Sequence, residues 1–358
     1  MVDDSASARE MLRKIVAMDP ELDLLGTASN PYTAARVIAK EVPDVIVLDI
    51  LMPRMDGITF LRKIMQQRPI PVVMCSILTE EDGEFLAEAL KAGAVSVIQK
   101  PRVGSQESLM EAQVKICDAI KAAARAKPRP TVAQPTDKDQ LDSVKFTADV
   151  ILPPPNHNRK TSFPATKRVV CIGASTGGTE SLRVLLTSLS VDAPGIVIVQ
   201  HMPEQFTKAF ADRLNGLCAV TVSEAKDGDS LQQGRVLIAP GNQHILLRRN
   251  GTRYFVEVRE GALVCRHRPS VDVLFRSAAR YAGPNAIGVL MTGMGDDGAR
   301  GLLEMRKAGA HTIAEDESSC VVFGMPREAI KLGAACIVLP LEKIRDGILR
   351  SCALWEGV

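Results

Sequence analysis

No apolar run in this chain of 358 residues approaches the ~20 residues that a membrane-spanning helix needs. Nor does a positively charged, then apolar, segment open it, so neither an anchor nor a secretory leader is expected and the sequence reads as cytoplasmic. Charge of one sign is missing as well. The 44 Lys and Arg against 42 Asp and Glu leave a net charge of +2, which provides no electrostatic footprint for nucleic acid. No helix-turn-helix pattern stands out to suggest a DNA-binding output module. Among eight cysteines (Cys75, Cys117, Cys171, Cys218, Cys265, Cys320, Cys336 and Cys352) there is no Cys-x-x-Cys pair. Several lie inside apolar runs, so they are expected as reduced core residues rather than zinc ligands or bridges. His157, His267 and His311 show no metal-ligand spacing with one another. What is present is 46% hydrophobic residues, enough for two cores, in a length that suits two or three domains.

Three short stretches carry the chemistry. Gly173-Ala174-Ser175-Thr176-Gly177, Gln200-His201-Met202 and Met294-Gly295-Asp296-Asp297-Gly298 each follow a short β-branched run: 168–172, 195–199 and 286–291. Such runs read as strands buried on both faces. In a parallel α/β sheet the loops leaving the carboxyl ends of the strands open on one edge, where such sheets build their sites. Gly-x-Ser-x-Gly fits a nucleophile elbow. A serine needs a base within reach and a third group to orient that base, and His201 and Asp297 can fill those roles. Taken singly, each residue could be a helix cap, a strand-end polar residue or a turn residue. All three at equivalent strand ends point to a site. The order Ser175, His201, Asp297 is not that of the α/β-hydrolases, which run Ser, Asp or Glu, His. A dinucleotide fingerprint would need glycine in place of Ser175 and an acidic residue where Gln200 and His201 stand.

From about Lys167 onward the chain therefore resembles the catalytic domain of the chemotaxis protein-glutamate methylesterases, whose motifs read here as Ile172-Gly173-Ala174-Ser175-Thr176-Gly177-Gly178, Gln200-His201-Met202 and Met291-Thr292-Gly293-Met294-Gly295-Asp296-Asp297-Gly298. The resemblance implies a Ser175/His201/Asp297 triad that hydrolyses glutamate γ-methyl esters on methyl-accepting chemoreceptors and deamidates receptor glutamines. It implies no cofactor in that domain. The N–H of Thr176, which follows the nucleophile, is the natural first oxyanion donor; Met294 is the second by resemblance.

The amino-terminal part resembles a response-regulator receiver. Asp3-Asp4, Val45-Ile46-Val47-Leu48-Asp49, Pro71-Val72-Val73-Met74-Cys75-Ser76 and Ile98-Gln99-Lys100-Pro101 follow that family's spacing, and Met52-Pro53-Arg54-Met55-Asp56-Gly57 is the expected loop. Clustered carboxylates offer hard oxygens to Mg²⁺, and a lysine ammonium can meet an acquired negative charge. The resemblance makes Asp49 the phosphoacceptor, assigns Mg²⁺ to Asp3, Asp4 and Asp49, makes Ser76 and Lys100 the switch residues, and implies a chemotaxis histidine kinase as phosphodonor. Two departures stand out. Val97 occupies the place of the usual aromatic switch residue. Only Met1 and Val2 precede the acidic pair where a receiver opens with an apolar strand, so Met1 is expected not to be the native start and the receiver to be weak.

The expected fold is α/β: two doubly wound parallel-sheet domains, a flavodoxin-like receiver (1–124) and a Rossmann-like catalytic domain (167–358), joined by a Pro-rich linker (125–166). Residues 128–164 hold seven of the 21 prolines, which suits an extended linker. Within it, residues 144–152 are too apolar for a plain spacer and are expected to dock on one of the domains. His244–Val258 reads as a β-hairpin turning at Asn250-Gly251. His244 itself is expected as a hydrogen-bonded histidine rather than a cleft residue.

Overall fold

The computed structural model describes residues 1–50, 52, 55–76, 88–90, 92–100, 106–126, 146–155, 167–202 and 204–353. The chain divides into two compact units, Met1–Gln134 and Pro135–Val358.

In the first unit the elements run α1 (Ala6–Ala17), α2 (Pro31–Lys40), β1 (Ile46–Leu48), α3 (Gly57–Gln67), β2 (Val72–Ser76), β3 (Ser96–Gln99) and α4 (Gln106–Arg125). Side chains at the helix starts supply the missing acceptors for free N–H groups: Ser5 Oγ accepts from Ala8 N, Asn30 Oδ1 from Thr33 N and Asp56 Oδ1 from Thr59 N. The strands pair in parallel in the order β1-β2-β3. Leu12, Ile15 and Val16 of α1 and Ile116, Cys117 and Ile120 of α4 pack with Val47, Val73 and Ile98 from the strands. Met1–Asp3 lies between β1 and the chain near Ala28. Val2 N donates to Val47 O at 2.8 Å, Asp49 N to Val2 O at 2.9 Å, Asp3 N to Ala28 O at 3.0 Å and Ala28 N to Met1 O at 2.8 Å. Val2 is thus a buried bridge on both sides, with one residue standing where an apolar strand was expected.

The second unit contains β4 (Val169–Ala174), α5 (Gly178–Thr187), β5 (Gly195–Gln200), α6 (Glu204–Asn215), β6 (Thr221–Glu224), β7 (Ser230–Leu231), β8 (Arg235–Ile238), β9 (His244–Asn250), β10 (Arg253–Arg259), α7 (Val271–Tyr281), β11 (Ala286–Leu290), α8 (Ala299–Lys307), β12 (His311–Glu315), α9 (Met325–Lys331), β13 (Ile337–Leu339) and α10 (Leu341–Ala353). Seven strands form one parallel sheet in the order β13-β12-β11-β4-β5-β8-β6. Its two faces explain the unbroken apolar runs. Val170 and Ile172 of β4 pack with Leu182, Leu185, Phe210 and Ile348, whereas Val169 and Cys171 pack with Leu274, Phe275, Leu302 and Met305. The chain leaves β4 toward β5 on one side and returns as β11 on the other. That reversal of strand order is where open α/β sheets leave a crevice for ligands.

A small antiparallel sheet, β7-β10-β9, adds to the doubly wound core. Its hairpin pairs Asn250 with Arg253, so the turn residues are Gly251 and Thr252, one position later than expected; Gly251 takes φ 60°. Residues 127–145 and 156–166 of the expected linker lie outside the described residues. Residues 146–155, between them, form a strap on the second unit. Ala148, Ile151 and Leu152 bury against Leu246, Val264, Cys265 and Val273, Cys265 N donates to Phe146 O at 3.0 Å, and Arg276 reaches Asp149 Oδ1 at 2.5 Å and Leu152 O at 3.0 Å.

Candidate active site

The three expected catalytic residues come from three adjacent strand ends. Ser175 and His201 directly follow Ala174 and Gln200, which are partners across β4 and β5. Asp297 lies in the loop between β11 and α8. Ser175 N donates to Thr292 O at 2.9 Å, tying the end of β4 to the chain beyond β11. Gly177 and Gly298 take φ 79° and 91° just before α5 and α8, a left-handed backbone that favours glycine and turns each loop sharply into its helix.

His201 Nε2 lies 2.9 Å from Asp297 Oδ2. An ionised carboxylate only accepts, so Nε2 carries the proton and the Nδ1 lone pair is the basic site. Nδ1 is buried and has no hydrogen-bond partner among the described residues. Asp297 is 1% exposed and also accepts from Ser270 Oγ (2.8 Å), Val271 N (2.8 Å) and Asp272 N (3.0 Å). Burial alone would push its carboxyl up, but the His201 hydrogen bond, nearby imidazoles and the N–H donors outweigh this and hold it below the usual carboxylate range. The carboxylate therefore caps the positive end of α7 while it faces the histidine.

Around these residues the loops are braced by polar contacts. Gln200 Nε2 donates to Ser175 O at 2.9 Å and to His201 O at 3.1 Å. Thr292 Oγ1 donates to Thr176 O at 3.0 Å, and Thr292 N donates to the buried Glu315 Oε2 at 2.8 Å. Burial pushes the Glu315 carboxyl up from its ordinary range. Gly293 has no alternative: a Cβ there would stand 2.7 Å from Ser175 Cβ and 2.4 Å from Met325 Sδ. The N–H groups of Thr176 and Met294 make no backbone hydrogen bond among the described residues. His244 is fully buried, with Nε2 2.9 Å from Ala262 O and Nδ1 accepting from Ser270 N at 3.2 Å; it supports the loop that carries Ser270.

In the first unit, Asp3, Asp4 and Asp49 each offer a carboxylate oxygen, all within 4.8 Å of one another. Asp3 and Asp49 are buried and Asp4 is exposed. Lys100 Nζ sits 2.6 Å from Asp3 Oδ2 and 2.7 Å from Asp49 Oδ2. Burial raises the Asp49 carboxyl against the pull of Lys100. A Cβ on Gly57 would fall 1.9 Å from Asp49 O, so only glycine lets α3 start against this strand end. Ser76 closes β2, but its side chain lies outside the described residues, as do Pro101 and the loop residues Pro53 and Arg54. Val97 is buried, with no aromatic in its place.

Sequence reasoning missed Ser270, Gln200, Thr292 and Glu315. Ser270 had a readable signal, since Pro269-Ser270 ahead of Val271-Asp272-Val273-Leu274-Phe275 is a helix-start pattern. Gln200 and Thr292 stand inside the quoted motifs without a role assigned to them, and nothing local in the sequence marks Glu315. His267, set aside for lack of metal spacing, stacks on His201 with ring centroids 3.7 Å apart and planes 5° from parallel.

Both units match known protein families. Residues 170–348 match the CheB methylesterase family and residues 1–113 the response regulator receiver domain family. The chain is 61% identical over 352 residues to protein-glutamate methylesterase/protein-glutamine glutaminase 2 of Rhodospirillum rubrum, covering 98% of this chain and 97% of that protein. It is 60% identical over 353 residues to protein-glutamate methylesterase/protein-glutamine glutaminase 5 of Anaeromyxobacter dehalogenans, covering 98% and 96%. The crystal structure of the Thermotoga maritima CheB methylesterase catalytic domain is similar at a TM-score of 0.50 and 39% identity, covering 52% of this chain and 99% of that one.

Proposed function

The chain belongs to the CheB methylesterase family, and from that membership we propose that it hydrolyses glutamate γ-methyl esters on methyl-accepting chemoreceptors and deamidates receptor glutamines, with Ser175 as nucleophile. The observation that carries this reading is the His201–Asp297 hydrogen bond, one strand away from Ser175 at the open edge of the sheet. His201 Nδ1 takes the hydroxyl proton as Ser175 Oγ attacks the carbonyl. The negative charge that develops on the carbonyl oxygen is met by the N–H groups of Thr176 and Met294. His201 then returns the proton to the departing methanol, or to ammonia when the substrate is glutamine. Water, activated by the same base, cleaves the acyl-enzyme and restores Ser175. Asp297 holds the imidazole in the tautomer that presents Nδ1.

Control comes from the receiver. Asp49 accepts a phosphoryl group from a chemotaxis histidine kinase, and Ser76 and Lys100 respond to the added charge. The oxygen-only cluster of Asp3, Asp4 and Asp49 fits a hard cation. These three residues would hold Mg²⁺, which when bound supplies Lewis-acid polarisation of phosphoryl oxygens. No helix among the described residues is long and apolar enough to cross a membrane, and we place the protein in the cytoplasm, next to the signalling ends of its receptor substrates.

The test is methanol release from methylated receptor membranes, with and without a small-molecule phosphodonor. The reading expects release that rises with phosphodonor, loss of release in Ser175→Ala, and retained basal release without stimulation in Asp49→Asn. Full release by Ser175→Ala would overturn the nucleophile, and unchanged stimulation of Asp49→Asn would overturn the control.

A further inference from the structure

The hydrogen bonds of the triad fix the edge of the His201 ring but not its face. Asp297 holds Nε2, which leaves Nδ1, buried and without a hydrogen-bond partner among the described residues, as the atom that would take the Ser175 proton. A single hydrogen bond at one ring atom leaves rotation about the bond that carries the imidazole only weakly restrained. Small rotations there move Nδ1 away from a serine hydroxyl and lower the chance of proton transfer.

The face is covered by His267, stacked at 3.7 Å and 5° from parallel. That ring is itself held firmly. Its Nδ1 donates to Cys265 O at 2.7 Å, and its backbone exchanges hydrogen bonds with Val264, His267 N to Val264 O at 2.9 Å and Val264 N to His267 O at 3.1 Å. Cys265 and Arg266, neither of them glycine, adopt φ of 50° and 69° to make this turn. A left-handed backbone at two consecutive side-chain-bearing residues is unfavourable and persists only where surrounding structure over-determines it. Here the strap supplies part of that support through Cys265 N to Phe146 O. The loop thus maintains a strained turn whose result is an aromatic face on the catalytic histidine.

We propose that His267 is a positioning residue for the esterase reaction, holding the His201 ring in the plane that aims Nδ1 at Ser175. This deepens the triad reading and rests on it. In the reaction His201 gains a proton and becomes imidazolium. Two imidazolium charges stacked at this distance would repel strongly, so the proposal asks no proton of His267. Its role is that of a planar wall, and it exchanges no proton with substrate. What matters is the flat ring, and the hydrogen bond to Cys265 O serves to place that ring.

Two substitutions separate the ring from the hydrogen bond. His267→Phe keeps a flat face over His201 and loses the donor to Cys265 O; His267→Asn keeps a short donor and loses the face. The readout is methanol release from methylated receptor membranes by the full chain with phosphodonor, with kcat and KM determined separately, beside His201→Gln. His267→Asn is expected to lose about tenfold or more in kcat with KM unchanged, and His267→Phe to stay within about threefold of the parent. The reverse order, Asn active and Phe impaired, would mean that the histidine only pins its own loop and would overturn the proposal, as would parent-like kcat in both variants or equal losses in both. A rise in KM without change in kcat would reassign His267 to substrate binding and overturn it too. Should His201→Gln remain active, the triad reading fails, an outcome readable independently of the two His267 variants.

Discussion

At the scale of single residues the catalytic domain turns on one buried carboxylate with two duties. Asp297 hydrogen-bonds His201 and caps α7, so removing its charge is expected to affect catalysis and the helix start together. Asp297→Asn keeps an acceptor for the N–H groups but can present its amide to His201 and favour the wrong tautomer. Turnover in methanol release is expected to fall by about 10³ to 10⁴ while the fold is retained, and near-parent activity would redirect attention to Asp296. Ser175→Ala, His201→Gln and the double variant should fall to a similar residual rate, because residues that act as a unit do not lose activity additively. The neighbouring Asp272 behaves in the opposite sense to Asp297. Burial, and then the Asp297 charge beside it, push its carboxyl up from the ordinary carboxylate range to about 7. A raised carboxyl is protonated preferentially in the folded state. Its contribution to stability is full below the unfolded value and is lost as pH rises through the folded one. Asp272→Asn stays neutral throughout. Urea unfolding of the second unit should therefore show the variant gaining on the parent between about pH 4 and about pH 7, by roughly 1 to 3 kcal/mol. A difference that stays flat across that window would show that Asp272 is not held protonated.

At the scale of elements, what the sequence revealed and what it hid follow from where the information sits. The strands β4, β5 and β11 were legible because both faces are covered, which forces unbroken apolar runs such as Val169-Val170-Cys171-Ile172. The places of Ser175 and His201 were legible because each stands just beyond such a run, and that of Asp297 because its loop follows β11. Ser270 carried a helix-start signal, but that it and His267 reach the site was not legible, since both come from one loop, 264–270, whose path depends on left-handed backbone at Cys265 and Arg266 and on packing by the strap. Periodicity carries no trace of either. The hairpin was found but its turn was misplaced by one residue, because Gly251 rather than Asn250 opens the two-residue loop. The strap shows a partial success: the apolar character of 144–152 predicted docking, while the partner surface on Leu246, Val264 and Val273 is a long-range fact. Its weight can be measured. Ile151 is 8% exposed, and a Cβ on Gly261 would come within 2.3 Å of its Cδ1, so the side chain fills its space closely. Ile151→Ala should destabilise the second unit by about 2 to 4 kcal/mol, the usual cost of emptying a packed site, seen as a lower denaturation midpoint. A change under about 0.5 kcal/mol, as at surface positions, would mean that the strap contributes little.

For the whole molecule, the strap decides where the catalytic unit begins. Family motifs start near Lys167, but the buried Ala148, Ile151 and Leu152 and the ion pair of Arg276 with Asp149 belong to the same packed body. A truncated protein starting at Lys167 leaves the apolar surface of Leu246, Val264 and Val273 uncovered and Arg276 without Asp149, although Glu304 still pairs with it. It also removes the Phe146 carbonyl that receives Cys265 N in the loop under His267. One starting at Phe146 keeps all of these. If the receiver restrains the esterase and phosphorylation of Asp49 relieves that restraint, the protein starting at Phe146 should release methanol faster than the unphosphorylated full chain and ignore phosphodonor. The protein starting at Lys167 should melt earlier and turn over more slowly than the one starting at Phe146. Comparing these three proteins on the same methylated membranes therefore separates two effects that a single truncation confuses, loss of restraint and loss of support. Equal rates for the full chain and the protein starting at Phe146 would remove the restraint while leaving the esterase assignment intact. Equal melting and equal turnover for the two truncated proteins would remove the strap from the catalytic unit, because a segment that buries three apolar side chains and braces the active-site loop has to leave a trace in one measurement or the other.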